Sequence, residues 1–130
     1  MGDSGSNQEG MKQVTESLNT SWKGKGAAAH FIPEYYNNAD TRNFVKSQGI
    51  SEKLNSDNIH DEYFITAEMM VFDPKTVRYD ERVKANKATI NGVSIVPKEK
   101  VIEMGKKIID FRANAAVTAI RKSIGQSGSN

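Results

Sequence analysis

The sequence predicts an α+β domain: short amino-terminal helices, a β-hairpin around Asn91-Gly92 and a long carboxy-terminal helix. Three observations carry that expectation. "KATINGVSIV" sets Asn91-Gly92 between two apolar runs, a strong hairpin signal because a type I′ turn needs positive φ at both central residues. From Pro97 to Ile124 apolar side chains recur at helical spacing, with Gly125 just beyond. In the first half, short periodic segments are punctuated by Gly, Pro and Asn. A chain of 130 residues with 37% hydrophobic content accommodates one domain with a modest core, expected over residues 11–124. Residues 1–10 and 125–130, rich in Gly, Ser and Asn, read as flexible tails that bury too little to offset their ordering entropy.

Taken in order, Met11, Val14, Leu18 and Trp22 fall on one narrow helical stripe, and the glycines of "KGKG" at 23–26 end it. Pro33 pushes Ile32 toward extended geometry, so residues 27–40 read as a connector anchored by Phe31, Ile32, Tyr35 and Tyr36. A short helix over "TRNFVKSQ", capped by Asp40 or Thr41 and closed by Gly49, should bury Phe44 and Val45. "SEKLNSDN" adds a turn capped by Ser51 and then a polar loop. Residues 62–72, "EYFITAEMMVF", fit either strand or helix; their β-branched and aromatic content favours strand. Asp73-Pro74 marks a turn, after which "TVRYDERVKANKATI" is expected as a long, mostly exposed hairpin arm. Pro97 suits the first turn of the last helix, where its missing N–H costs nothing.

That last helix carries more apolar surface than one stripe. At 100° per residue, Val101, Met104, Ile108, Phe111, Ala115 and Ala119 form one band, expected to face the domain's own core. Ile102, Ile109, Ala113, Ala116, Val117, Ile120 and Ile124 form a second, displaced by roughly 120°. About 28 residues span roughly 40 Å, more than the diameter of a compact domain of this size. The second band, represented by Ile102, Ile109, Ala113, Ala116, Ile120 and Ile124, is therefore the expected interface for self-association or for a helical partner protein. Gly105 marks where a bend is expected.

The chemistry the sequence offers is sparse. No cysteine is present, which removes disulfides, thiol nucleophiles and cysteine-ligated metals. His60, Asp61 and Glu62 adjoin in "IHDEYF", but no second cluster accompanies them, and a solvated loop is the plainer reading. "KGKG" lacks the spacing of a phosphate-cradling loop, and the serines lack a nucleophile-elbow pattern. No catalytic residue, metal or cofactor is expected; a small hydrolase or secreted toxin using His30 or His60 is a third-ranked reading. No run is long and apolar enough for a membrane span, and the first ten residues have no apolar core like that of a signal peptide.

Net charge is +2, but unevenly spread: residues 1–65 hold six Lys/Arg against nine Asp/Glu, and residues 66–130 hold twelve against seven. Arg78, Arg82, Lys84 and Lys87, with Tyr79 among them, supply a second-ranked reading. On a β-ribbon these cations would track phosphates while the aromatic ring stacked on bases. Asp80 and Glu81 interrupt that patch.

"NNADT" at 37–41 and "FRAN" at 111–114, the latter inside a long terminal helix, resemble segments of the flagellar rod (axial) proteins, as does "INGVSIVPKEKVIEM" before it. The family's first segment usually continues into Pro-Gly-Tyr, whereas Thr41 is followed by Arg42, Asn43 and Phe44. The resemblance implies a non-enzymatic subunit whose terminal helices pack with neighbouring copies. Together with the surplus apolar band, the expected function is a structural subunit of a homo-oligomeric or helical assembly, a flagellar axial structure or a virion component.

Overall fold

The computed structural model of the chain describes residues 4–54 and 60–127. It is mostly helical: α1 (Gly5–Ser21), α2 (Asn38–Ser47), α3 (Tyr63–Phe72), α4 (Tyr79–Lys84) and α5 (Lys98–Ser127), with one two-stranded antiparallel hairpin, β1 (Thr89–Ile90) and β2 (Val93–Ser94). Single 3-10 turns occupy Pro33–Tyr36 and Pro74–Val77. The chain divides into two compact units, Met1–Asn37 with Arg112–Asn130 and Asn38–Phe111. α5 contributes its first turns to the second unit and its last turns to the first.

The unit Asn38–Phe111 holds the core. Val45 of α2, Phe64, Ala67 and Met70 of α3, Ile95 after the hairpin, and Val101 and Ile108 of α5 are all buried. Phe44 stacks on Phe111 with ring centroids 4.5 Å apart. The strand favoured for residues 62–72 is helix α3. Its buried residues Tyr63, Phe64, Thr66, Ala67 and Met70 follow the helical period, whereas a strand would have buried Ile65 and Met69 together with Tyr63 and Ala67. β-propensity measures fit to a half-buried pleated surface, and packing between helices overrides it here.

Gly105 has a packing role. α5 runs through it uninterrupted and presents its bare backbone to α3. A Cβ there would lie 2.6 Å from Val71 Cγ2 and 2.8 Å from the Ala67 carbonyl carbon, closer than packed atoms come. Gly105 and Ala67 thus set the close crossing of the two helices.

The hairpin turn forms as expected: Asn91 has φ 48° and Gly92 has φ 83°, with Ile90 opposite Val93 and Thr89 opposite Ser94. The long arm before it does not form. Each strand has two residues, and "YDERVK" is helix α4, with Asp80 and Glu81 in its first turn and Arg82 and Lys84 in its last, the order the helix dipole favours.

Three hydrogen-bonded locks hold this unit. Asn91 donates through Nδ2 to Glu52 Oε1 (3.1 Å) and to the Asp61 carbonyl (3.0 Å), while its own carbonyl accepts from the Lys53 N–H (2.9 Å). Glu52 Oε1 also accepts from the Tyr63 N–H at 2.6 Å, satisfying a donor in the first turn of α3. Glu62, fully buried, receives a two-pronged ion pair from Arg42 of α2, 2.7 Å from Nε and 2.6 Å from Nη2. Glu62 therefore points inward, away from its sequence neighbours His60 and Asp61, both of which are exposed.

In the other unit, α1 begins at Gly5, inside the segment expected as a tail, and α5 continues past Gly125 to Ser127. The outermost residues of both expected tails, and 55–59 of the expected polar loop, lie outside the described residues.

Candidate functional site

Residues 4–37 form a helix and a return strap. α1 ends where Gly24 (φ 77°) and Gly26 (φ 69°) take the left-handed backbone that lets residues 22–26 turn tightly. Asn19 then clamps the returning chain: its amide donates to the Ala29 carbonyl (2.9 Å) and accepts from the Ala29 N–H (2.8 Å). This places His30, Phe31 and Ile32 alongside α1. At the far side His30 Nδ1 meets Ser123 Oγ of α5 at 2.5 Å, tying strap to carboxy-terminal helix.

The result is a groove of about 760 Å³. α1 supplies Gln8, Met11, Val14 and Thr15, the strap supplies His30, Phe31, Ile32 and Tyr35, and α5 supplies Ala116 and Ile120. Its floor and walls are mainly apolar, with Asn7, Gln8, Thr15, His30 and Tyr35 as polar points. Beside it, Glu9, Lys12 and Glu34 line a second depression that shares Gln8 and Phe31.

The burial pattern around this groove sets it apart. Every buried residue of the described chain belongs to Asn38–Phe111, and none belongs to α1, the strap or the last turns of α5. There Met11, Leu18, Trp22, Phe31, Ile32, Tyr36, Ala115 and Ala119 are only half-buried. Val14 and Ile124 are each 59% exposed, and Val117 and Ile120 each 42%.

The residues expected to form an interface separate into two groups. Ile102 and Ile109 are half-buried within Asn38–Phe111, Ile102 packing on its core. Ala116 and Ile120 line the groove, and Ala113 and Ile124 are exposed beside it. The four cations of the nucleic-acid reading do not form a ribbon. Arg78 is the left-handed residue before α4, Arg82 and Lys84 lie on α4, and Lys87 follows it. Arg82 is turned inward, donating from Nε to the Val77 carbonyl at 2.9 Å. Among the described residues no three His, Asp or Glu side chains converge as metal ligands, and no helix is long and apolar enough to cross a membrane.

Sequence reasoning missed the groove because two of its three walls come together only through contacts distant in sequence. The His30–Ser123 pair joins residues 93 positions apart, and no local spacing announces it. The Asn19 clamp was more accessible, since an Asn one turn before a Gly-rich break is a natural partner for returning backbone. Comparison of the chain with family models, with curated proteins and with solved structures gives no match.

Proposed function

We propose that this chain is a non-enzymatic structural subunit that associates with other copies of itself through the last turns of α5 and the groove beside them. One observation carries the reading: among the described residues, the unit formed by α1, the strap and residues from 112 onward contains many apolar side chains and fully buries none of them. Covering a large apolar side chain contributes ~1.5–3 kcal/mol, so Val14, Val117, Ile120 and Ile124 together offer a substantial driving force for association. Half-covered apolar surface at this density marks an interaction site in a water-exposed protein. Ala113 and Ala116 keep the helix surface shallow there and permit close approach of a neighbouring helix.

The resemblance of "NNADT" and "FRAN" to flagellar axial subunits accords with a homo-oligomeric or helical assembly. Nucleic-acid binding through Arg78, Arg82, Lys84 and Lys87 is the weaker reading, because Arg82 is occupied and the β-ribbon it required is helix.

The test is an aspartate scan of the exposed ridge, with oligomeric state read by size-exclusion chromatography at matched concentrations. Ile120→Asp and Ile124→Asp should shift the chain to its monomer elution position while thermal unfolding of the Asn38–Phe111 core stays unchanged. Unchanged elution of both variants would contradict the proposal.

A further inference from the structure

Asn91-Gly92 sets the hairpin turn, and it is also the one Asn-Gly pair in the sequence. That dipeptide carries a reaction of its own. The backbone nitrogen after an asparagine lies close to the side-chain amide carbon, and glycine leaves that nitrogen unshielded by a side chain. When the nitrogen attacks Cγ, a five-membered succinimide closes and the Cγ–Nδ2 bond breaks. The amide nitrogen departs as ammonia, taking the backbone proton. Water then opens the ring to aspartate or isoaspartate, so no oxidant or reductant is required.

We propose that Asn91 is a modification site, deamidated by the Gly92 nitrogen when the hairpin opens, and that the product cannot lock the hairpin again. The fold holds the atom that must leave. Asn91 Nδ2 donates to Glu52 Oε1 at 3.1 Å and to the Asp61 carbonyl at 3.0 Å, which engages both of its N–H bonds. The Lys53 N–H holds the Asn91 carbonyl at 2.9 Å, fixing the backbone of the same residue. Ammonia cannot depart while the two side-chain bonds stand, so the reaction belongs to the locally opened turn.

The product does not fit the closed turn. An aspartate at position 91 has no N–H to donate, and its carboxylate faces the Glu52 carboxylate and the Asp61 carbonyl, acceptor against acceptor. Glu52 Oε1 also accepts from the Tyr63 N–H at 2.6 Å, so displacing Glu52 strips the first turn of α3 of that partner. Lys53 is a cation beside the turn, its methylenes within 4.0 Å of where a Gly92 Cβ would lie. It can pair with the new carboxylate but cannot restore the two lost hydrogen bonds. Each opening thus risks an irreversible change, and the modified fraction records the time the hairpin has spent open.

The intact chain, aged in mildly alkaline buffer with and without denaturing urea and mapped by peptide mass spectrometry, tests the site. Asn91 should lose its amide at least about tenfold more slowly without urea, the scale that two net hydrogen bonds set. Asn86 also has positive φ, 56°, but precedes Lys87, and in urea it should react far more slowly than Asn91. Equal rates for Asn91 in the two solutions overturn the protection, and an Asn91 unchanged in urea overturns the site. Asn91→Asp tests the product, because a type I′ turn accepts Asp-Gly and only the lock is altered. Its folded-to-unfolded ratio in a urea titration should fall at least about tenfold. Adding Glu52→Gln should recover much of that loss, since a glutamine amide can donate to the aspartate. An Asn91→Asp chain as stable as its parent, or one that Glu52→Gln does not rescue, overturns the failure to relock.

Discussion

Replacing Gly105 with alanine should destabilise this protein, although the same change in an exposed helix stabilises. The expected sign follows from two opposed terms. Alanine is the better helix former by about 1 kcal/mol, and that gain applies to any mid-helix glycine. Against it, the new methyl would approach Val71 Cγ2 to 2.6 Å and the Ala67 carbonyl carbon to 2.8 Å, with the Ala67 oxygen nearer still. Two of those three atoms are backbone, which no rotamer change can move. α3 and α5 must separate, loosening the contacts around Ala67, Met70, Val101 and Ile108, all of them buried. Overpacking of this kind costs about 1–3 kcal/mol, and two immovable backbone atoms put this site at the upper end, so the net loss should be about 2 kcal/mol. Urea denaturation followed by circular dichroism measures it, and at the scale of a small domain the melting temperature should fall by several degrees. Gly125→Ala is the internal control: it lies in the same helix with nothing within 4 Å of its added carbon, and should be neutral or stabilising. A Gly105→Ala variant as stable as its parent, or more so, would refute the close crossing of α3 and α5.

Other expectations follow from the locks around α3. Arg42→Ala leaves the fully buried Glu62 carboxylate without its ion-pair partner and should cost about 3 kcal/mol, the low end for a broken buried pair because the Arg42 side chain is 39% exposed; chemical denaturation gives the value directly. Burial, and secondarily the charge of Glu52, pushes the Tyr63 hydroxyl above its ordinary pKa of 10.0. The unfolded chain then ionises first, so Tyr63's contribution to stability is intact below pH 10 and is lost as pH rises beyond it. Tyr63→Phe should flatten that alkaline decline in a pH series of melting curves. Asn19→Ala removes both hydrogen bonds to Ala29, net about 0.5–1.5 kcal/mol each, and should speed amide exchange at Ala29 and the strap residues after it without altering exchange in α3.

Legibility from sequence tracked how local each interaction is. The Asn91-Gly92 turn could be read because its requirement, positive φ at two adjacent residues, is written in two adjacent residues. The last helix could be read for the same reason, its apolar period being carried by consecutive turns. Helix α3 was misread because "YFITAEMMVF" is apolar on nearly every face, so neither period dominates and β-branched content tipped the balance. What settles α3 as helix is its neighbour: Gly105, 38 residues beyond Ala67 in the chain, lets α5 lie against it. The basic arm failed similarly, since its alternation of cations coexisted with helix-favouring charge order in "YDERVK". At the candidate site, Ala116, Ile120 and Ile124 were legible as surplus apolar surface on one helix. The α1 and strap walls were not, because the Asn19 clamp and the His30–Ser123 contact form only once the chain has turned back on itself.

On the proposed function, α1, the strap and the last turns of α5 are completed by another copy of the chain. Light scattering of the intact chain from micromolar to millimolar concentration tests it most directly. Self-association gives a mass that climbs with concentration above the 14.4 kDa of a single copy. A mass fixed at that value across the whole series would contradict it.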